Sequence, residues 1–390
     1  TGQSKTFVIN ALPTVNNPTD LTVCGNESVA AIVFSSPNSL ATSYQWTNSN
    51  TAIGLSAASG TADSSNGNEI ATFTASNSAT QQTATILVTP YYTSGGTTCA
   101  GAPESVTITV NPKPEIAANT ATICSGETYN FAAQSNDIIP TGTQYTWTVS
   151  ENQYLDAAQE STPQALQQTL TNTTNIAQQV TYTVTPIKGS CTGEPFDVVV
   201  TVNPKPAIAD ATAEICSDET FSYTPSNGGG SMNDDIVPAG TTYSWTVVDN
   251  TNVTGDEDQG VGQSNISQTL TNLTNTAQTV VYTVTPTSGA AGNCVGSTFT
   301  VTVTVSPRAT IANKTASTCS GTGFTVTPSN GGGDIVPSGT TYAWSALPVV
   351  TGGLTGGATA SLQSSINGTL TNPTNVPQTA TYTVTPTSGS

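Results

Sequence analysis

Residues Gln179-Val180-Thr181-Tyr182-Thr183-Val184-Thr185-Pro186 place apolar side chains at every second position, Val180, Tyr182 and Val184, with polar ones between. A period of two over that length marks a β-strand with one buried and one wet face. The stretch returns as Val281 to Pro286 and Thr381 to Pro386, with a weaker copy at Thr85 to Pro90. Other marks recur in the same order. Tyr44-x-Trp46 is repeated by Tyr145-x-Trp147, Tyr243-x-Trp245 and Tyr342-x-Trp344, the tryptophans lying 101, 98 and 99 residues apart. Leu170-Thr-Asn172 is matched at Leu270 to Asn272 and Leu370 to Asn372, and Asp137-Ile-Ile-Pro-Thr-Gly-Thr143 by the segments opening at Asp235 and Asp334. Val110-Asn111-Pro112-Lys113-Pro114 returns as Val202 to Pro206 and loosely as Val305 to Arg308. The chain is four copies of one module of about 98 residues.

Each copy reads as strands between turn signals, the pattern of a β-sandwich. In the second, Glu115 to Ile123 and Thr128 to Gln134 open the module, Gln144 to Val149 carries Trp147, and Gln179 to Thr185 and Phe196 to Val202 close it. Trp46, Trp147, Trp245, Trp344, Tyr182, Tyr282 and Tyr382 are expected in the cores. Boundaries fall at the proline-bearing junctions. Residues 1–13 are read as the closing strand of a preceding module, followed by modules at 14–113, 114–205, 206–308 and 309–390, the last without a closing strand. Thr1 to Pro13 aligns without gaps on Thr192 to Pro204, and Thr385 to Ser390 stops where Thr185 to Ser190 runs on into Cys191. The stretch is therefore expected to be a window on a longer array. Short linkers leave little room for folding back, so a rod is expected.

Composition restricts the function. Of 390 residues, 24 are acidic and 6 basic, the net charge is −18, and histidine is absent. Six scattered cations cannot supply a footprint for nucleic acid or for an anionic membrane, and no apolar run reaches the ~18 residues of a spanning helix. Without histidine, the usual Ser-His and Cys-His pairs and most zinc sites are excluded. Thr, Val, Ile and Tyr suit strands, and Gly, Pro and Asn suit turns. An all-β, non-enzymatic protein is expected.

The seven cysteines fall into two kinds. Cys24, Cys124, Cys216 and Cys319 precede the second strand of their modules, and Cys99, Cys191 and Cys294 follow the sixth. Regular spacing without CxxC points to structural disulfides in an oxidising compartment. Pairing within modules, Cys24–Cys99, Cys124–Cys191 and Cys216–Cys294, closes loops worth roughly 4 kcal/mol on a chain-entropy account. Cys319 is then expected to bond a residue beyond the chain end. In a standard sandwich, however, the two turns concerned lie at opposite poles, which makes a bond between neighbouring modules, such as Cys24–Cys191, the alternative.

Carboxylates are the remaining chemical resource. Asp256-Glu257-Asp258 and Asp234-Asp235 are the densest clusters, and Asp234, Asp235, Asp256 and Asp258 are the Ca²⁺ candidates. Solvated loop acids that keep the surface soluble are the simpler reading, so no cofactor is expected, with Ca²⁺ the alternative. The recurring Asp137, Asp235 and Asp334 are read as turn-shaping residues. Asn-Gly-Gly-Gly at 227–230 and 330–333 is read as a turn, not a phosphate loop. Asn26-x-Ser28, Asn265-x-Ser267 and Asn272-x-Thr274 are glycosylation sequons of the kind that chance supplies in an Asn/Thr-rich chain.

Ala121-Thr-Ile-Cys-Ser-Gly-Glu127, Tyr145-Thr-Trp147 and Val200-Thr-Val-Asn-Pro-Lys-Pro206, in that order and repeated, resemble the PKD-like and immunoglobulin-like tandem repeats of giant surface proteins in gliding and related Bacteroidetes. The resemblance implies export by the type IX secretion system to the cell surface and service in an adhesin, including the mobile adhesins of gliding motility. One departure bears on ligands. The PKD module continues its Trp strand as Trp-Asp-Phe-Gly-Asp-Gly, whereas Trp147 is followed by Thr-Val-Ser, so an acidic-turn Ca²⁺ role does not carry over. The expected function is a structural stalk or filament segment whose partners are further repeats of the same polypeptide. The alternatives are modules that bind surface polysaccharide or other surface proteins, a strand-exchanged filament subunit, and an accessory region of an enzyme.

Overall fold

A computed structural model describes residues 2–156, 160–164, 166–229, 234–289, 292–346 and 353–389. The chain divides into two compact units, Thr1–Thr171 with Gln178–Val202, and Asn172–Ala177 with Asn203–Ser390. It is all-β, built from tandem sandwich modules.

In the first unit, the large sheet of module 1 runs in the order Leu21–Cys24, Glu104–Asn111, Gln82–Ser94, Ser43–Asn48, Ser59–Asp63. The opening strand is parallel to the closing strand, with Leu21 opposite Ile108 and Cys24 opposite Asn111. The remaining neighbours are antiparallel. Module 2 repeats the order with Asn119–Cys124, Phe196–Asn203, Gln178–Lys188, Gln144–Val149 and Glu160–Gln164. Its opening strand thus begins later than Glu115, which instead forms an isolated bridge with Ile138. Thr128–Asn130 and Gln167–Thr169 form its small sheet.

In the second unit, module 3 orders Ala211–Cys216, Phe299–Ser306, Gln278–Thr287, Thr242–Val247 and Gln259–Gln263. Its small sheet is Glu219–Tyr223, Ile266–Asn272, Val253–Thr254. Module 4 is less complete. Its tryptophan strand Thr341–Trp344 has Ala360–Gln363 on one side and Val384–Thr387 on the other, and among the described residues neither an opening nor a closing strand is added.

Alternation explains the packing. In Phe299–Ser306 the inward Val301, Val303 and Val305 are fully buried, while the threonines between them are partly exposed. Tyr182 and Tyr282 are likewise fully buried, and Trp46, Trp147, Trp245 and Trp344 are buried in their four cores. Gly60 sits so close to Trp46 that a Cβ there would stand 2.4 Å from the indole. Tyr382 differs from its counterparts. It is only partly buried, and among the described residues no closing strand lies beside it.

Residues 2–13 form no strand, and Phe7, Val8 and Ile9 are 81%, 84% and 93% exposed. The gapless alignment of 1–13 on 192–204 also slips by two residues at its end. Pro13 packs its carbonyl against Gly101 as Pro114 does against Gly193 and Pro206 against Gly296. Val15 joins the core of module 1 as Ile116 and Ile208 pack on those of modules 2 and 3. Asn10 therefore corresponds to Asn111 and Asn203.

Candidate functional site

The chemistry of this chain is concentrated where one module meets the next. Cys24 is bonded to Cys191, 167 residues away, with a Cα–Cα distance of 5.7 Å. The expected Cys24–Cys99 and Cys124–Cys191 bonds are therefore not made. Cys99, Cys216 and Cys319 are free thiols, which also removes the expected Cys216–Cys294 pair. Cys124 and Cys294 are each disulfide-bonded.

The sheet topology explains the correction. Cys24 ends the opening strand beside Asn111, the last residue of the closing strand. Cys99 lies in Thr97–Ala100, before that closing strand begins at Glu104. A strand of eight residues therefore separates the two cysteines by about 25 Å at ~3.3 Å per residue, far beyond the ~6 Å a disulfide tolerates. The same strand delivers the chain to module 2, and the next module's hairpin cysteine arrives at the pole where Cys24 waits.

Further contacts hold that junction. The Asn77 side chain donates to the Lys113 carbonyl at 2.8 Å and accepts from the Lys113 amide at 3.0 Å, gripping the linker from both sides. The Gly25 amide donates to the Asn111 carbonyl at 2.9 Å. Lys113 reaches Glu194 at 3.0 Å, an exposed pair worth at most about 1 kcal/mol. Between modules 3 and 4 the Ala309 amide donates to the Ser388 hydroxyl at 2.7 Å.

In modules 2, 3 and 4 the recurring aspartate ties the opening segment to the loop before the tryptophan strand. Asp137 accepts from the amides of Ala117 at 3.1 Å and Gln134 at 2.7 Å. Asp235 accepts from Ala209 at 2.9 Å, and Asp334 from Ala312 at 2.8 Å and Lys314 at 2.7 Å. The Lys314 ammonium first, and the Ala312 amide second, hold the Asp334 carboxyl below the usual carboxylate range. A lowered folded pKa means that its contribution is present above the unfolded value near 4 and is lost as pH falls through the folded one. Protection of Thr341–Trp344 against hydrogen exchange should therefore drop in acid. Asp334→Asn should lower it at pH 6 but leave the acid value unchanged, and a uniform loss at both pH values would contradict the linkage.

The Ca²⁺ candidates do not converge. Asp234 is exposed and its neighbour Asp235 is buried. Asp256 accepts from the Asn250 amide at 2.9 Å and Asp258 from the Val247 amide at 2.8 Å, so both shape the loop after the tryptophan strand. Between them, the Glu257 carbonyl accepts from the Trp245 indole at 3.1 Å. Among the described residues no group of three or more His, Cys, Asp or Glu side chains is placed to hold a metal. The segment 230–233, which includes the end of one Gly-rich turn and Asn233, lies outside the described residues.

Burial pushes the Tyr182 and Tyr243 hydroxyls up to about 12, and the Tyr282 hydroxyl higher still. These rings are core, closed to a sugar. The sequon Asn272-x-Thr274 has a structural use that sequence reasoning missed. Asn272 is 1% exposed. Its side-chain amide donates to the carbonyls of Thr276 and Val305 and accepts from the amide and hydroxyl of Thr274. The recurring Leu-Thr-Asn spelling was the available signal. Asn265 donates to the Ser222 hydroxyl at 3.0 Å, and Asn26 sits at φ 65° in the turn after Cys24.

A family model described as a PKD-like domain matches residues 21–114, 121–206 and 213–309. No curated protein matches the chain. Solved structures similar to it include mouse cadherin-23 EC22-24, at 12% identity and TM-score 0.29 over 76% of this chain and 100% of that one. Drosophila N-cadherin EC1-4 matches at 12% and 0.25 over 77% and 76%. Chicken CNTN1 FN1-FN3 matches at 10% and 0.27 over 75% and 97%. Likenesses of that size carry nothing about ligands. Among the described residues no helix is long and apolar enough to cross a membrane.

Proposed function

From the premise that this chain belongs to the PKD-like domain family, whose modules repeat along most of its length, we propose that it is a structural spacer: a stalk or filament segment of an exported cell-surface adhesin. The observation that carries this is the Cys24–Cys191 bond. A disulfide within a module would stabilise only that module. One that crosses a boundary fixes a module to its neighbour and limits how far the pair extends under tension. That is the need of a tether. The bond also requires an oxidising compartment, which supports a location outside the cell, and the Bacteroidetes resemblance favours the outer-membrane surface. Export by type IX secretion and a part in gliding motility are the finer form of the same proposal.

The recurring Tyr and Trp rings of the four Trp strands are buried and the recurring acids hold loops, which supports adhesion through a part other than these repeats. The full chain, tested on a glycan array and in pull-downs with surface polysaccharide, should show no saturable retention. Saturable binding, lost when one surface residue is changed and the fold kept, would make the modules receptors and overturn the spacer reading.

A further inference from the structure

Tension along the chain enters module 1 ahead of Leu21 and leaves it after Asn111, and those two points lie on neighbouring parallel strands. We propose that the Cys24–Cys191 bond is a load bypass, which carries tension past the hydrogen-bonded cores of modules 1 and 2 and leaves both folded. The proposal rests on the spacer reading, since only a tether has a load to divert.

Without the bond, module 1 is held by a clamp. Leu21–Cys24 lies parallel to Glu104–Asn111 over four residue pairs, from Leu21 opposite Ile108 to Cys24 opposite Asn111. Pulling the first strand by its start and the second by its end shears this ladder and loads its evenly spaced bonds together. Further bonds close both ends of the clamp. Asp20 accepts from the Thr107 amide at 2.7 Å. At the other end the Gly25 amide donates to the Asn111 carbonyl at 2.9 Å, and Glu27 accepts from the Cys24 amide at 2.8 Å. Module 3 has the same clamp over six pairs, from Ala211 opposite Val301 to Cys216 opposite Ser306, with Asp210 accepting from the Thr300 amide at 2.6 Å. Module 1 has the shorter ladder of the two.

With the bond, that ladder is out of the path. Cys24 is the last residue of the opening strand, and Cys191 opens Cys191–Thr192, just before the closing strand Phe196–Asn203 of module 2. Tension then runs along Leu21–Cys24, across the S–S bond, and along residues 191–203. Each of these stretches is pulled at its two ends by equal and opposite forces, so no net force passes to its neighbours. Their strands are extended already and have little length to give. Everything between the two cysteines lies in a closed loop that bears no load. The loop holds Ser43–Asn48, Gln82–Ser94 and Glu104–Asn111 of module 1, and Gln144–Val149 and Gln178–Lys188 of module 2. The linker is inside it too, so tension does not peel Lys113 from Asn77.

A force clamp reads whether the cores stay folded. The full chain, with the other bonded cysteines, Cys124 and Cys294, changed to serine, is held at constant force until modules 3 and 4 have opened. Dithiothreitol is then added. The length should stay constant until the bond is cleaved, and then grow in two separate steps, one for each module. Together they should release about 580 Å, for 167 residues at ~3.5 Å per residue. A single jump of that length at cleavage would mean that both cores had opened under load, and would overturn the proposal. Forced opening is set by the unfolding rate. Asp20→Ala removes the Thr107 contact and should speed one of the two steps roughly fivefold, with the trace before cleavage unchanged. Val23→Ala, opposite Val110 in the ladder, should do the same. If neither variant moved either step, the parallel pair would not be the clamp, and the proposal would fall. A single jump leaves the spacer reading standing, and saturable glycan binding would overturn that reading without altering the steps, so the two failures are distinguishable.

Discussion

Replacing Cys24 and Cys191 together with serine is expected to lower the thermal transition of the first unit by roughly 5–15 °C, corresponding to about 2–5 kcal/mol. The cross-link spans 167 residues, for which chain entropy alone gives about 5 kcal/mol, an upper value because the modules have cores of their own. Cys191 is 1% exposed, so serine there also leaves a hydroxyl in a closed junction. Changing both residues avoids a stray thiol that could exchange with Cys99. Differential scanning calorimetry of the double variant, with every other cysteine kept, reads the result. An unchanged transition would mean that the junction is held without the bond.

Asn272→Ala is expected to weaken module 3 by about 2–4 kcal/mol, and Asn372→Ala to weaken module 4 by less than about 1 kcal/mol. The two asparagines share a motif and differ in surroundings. The Asn272 side chain donates at 2.7 and 2.9 Å to carbonyls on its own loop and on the closing strand, and its main-chain amide is met by the Ser217 hydroxyl at 2.9 Å. Alanine leaves those carbonyls buried and unpaired, which costs far more than the bond's net worth. Asn372 keeps the loop bond to Val376 but is only partly buried, so water replaces what alanine removes. Hydrogen exchange read peptide by peptide should show module 3 amides opening at least 30-fold more often in the first variant, with module 4 nearly unmoved in the second. Equal effects would show that the clip draws nothing from the closing strand.

Much of the fold was legible in the chain, and the failures share one cause. Alternation in Gln179 to Pro186 located a strand, and the recurring Tyr-x-Trp located the strand beside it, because both are local signals. The pairing of Leu21–Cys24 parallel to Glu104–Asn111 is not local. Nothing in the spelling of either strand announces it, yet it decides which pole each cysteine occupies and hence which bond forms. Asn272 was misleading in a different way. Asparagine is usually exposed, and its burial depends on a carbonyl from Val305 that only the folded sheet brings near. The two-residue slip at Pro13 came from matching letters where the seat on Gly101 sets the register.

The central claim is that a covalent bond joins neighbouring modules, and pulling the chain from its ends measures it directly. In single-molecule force spectroscopy of a chain whose other bonded cysteines, Cys124 and Cys294, are already changed to serine, the Cys24–Cys191 bond hides 167 residues from extension. Changing Cys24 and Cys191 to serine as well should therefore give a contour length longer by about 580 Å, at ~3.5 Å per residue. A gain of only about 260 Å, the length between Cys24 and Cys99 at the same rise, or no gain at all, would contradict it.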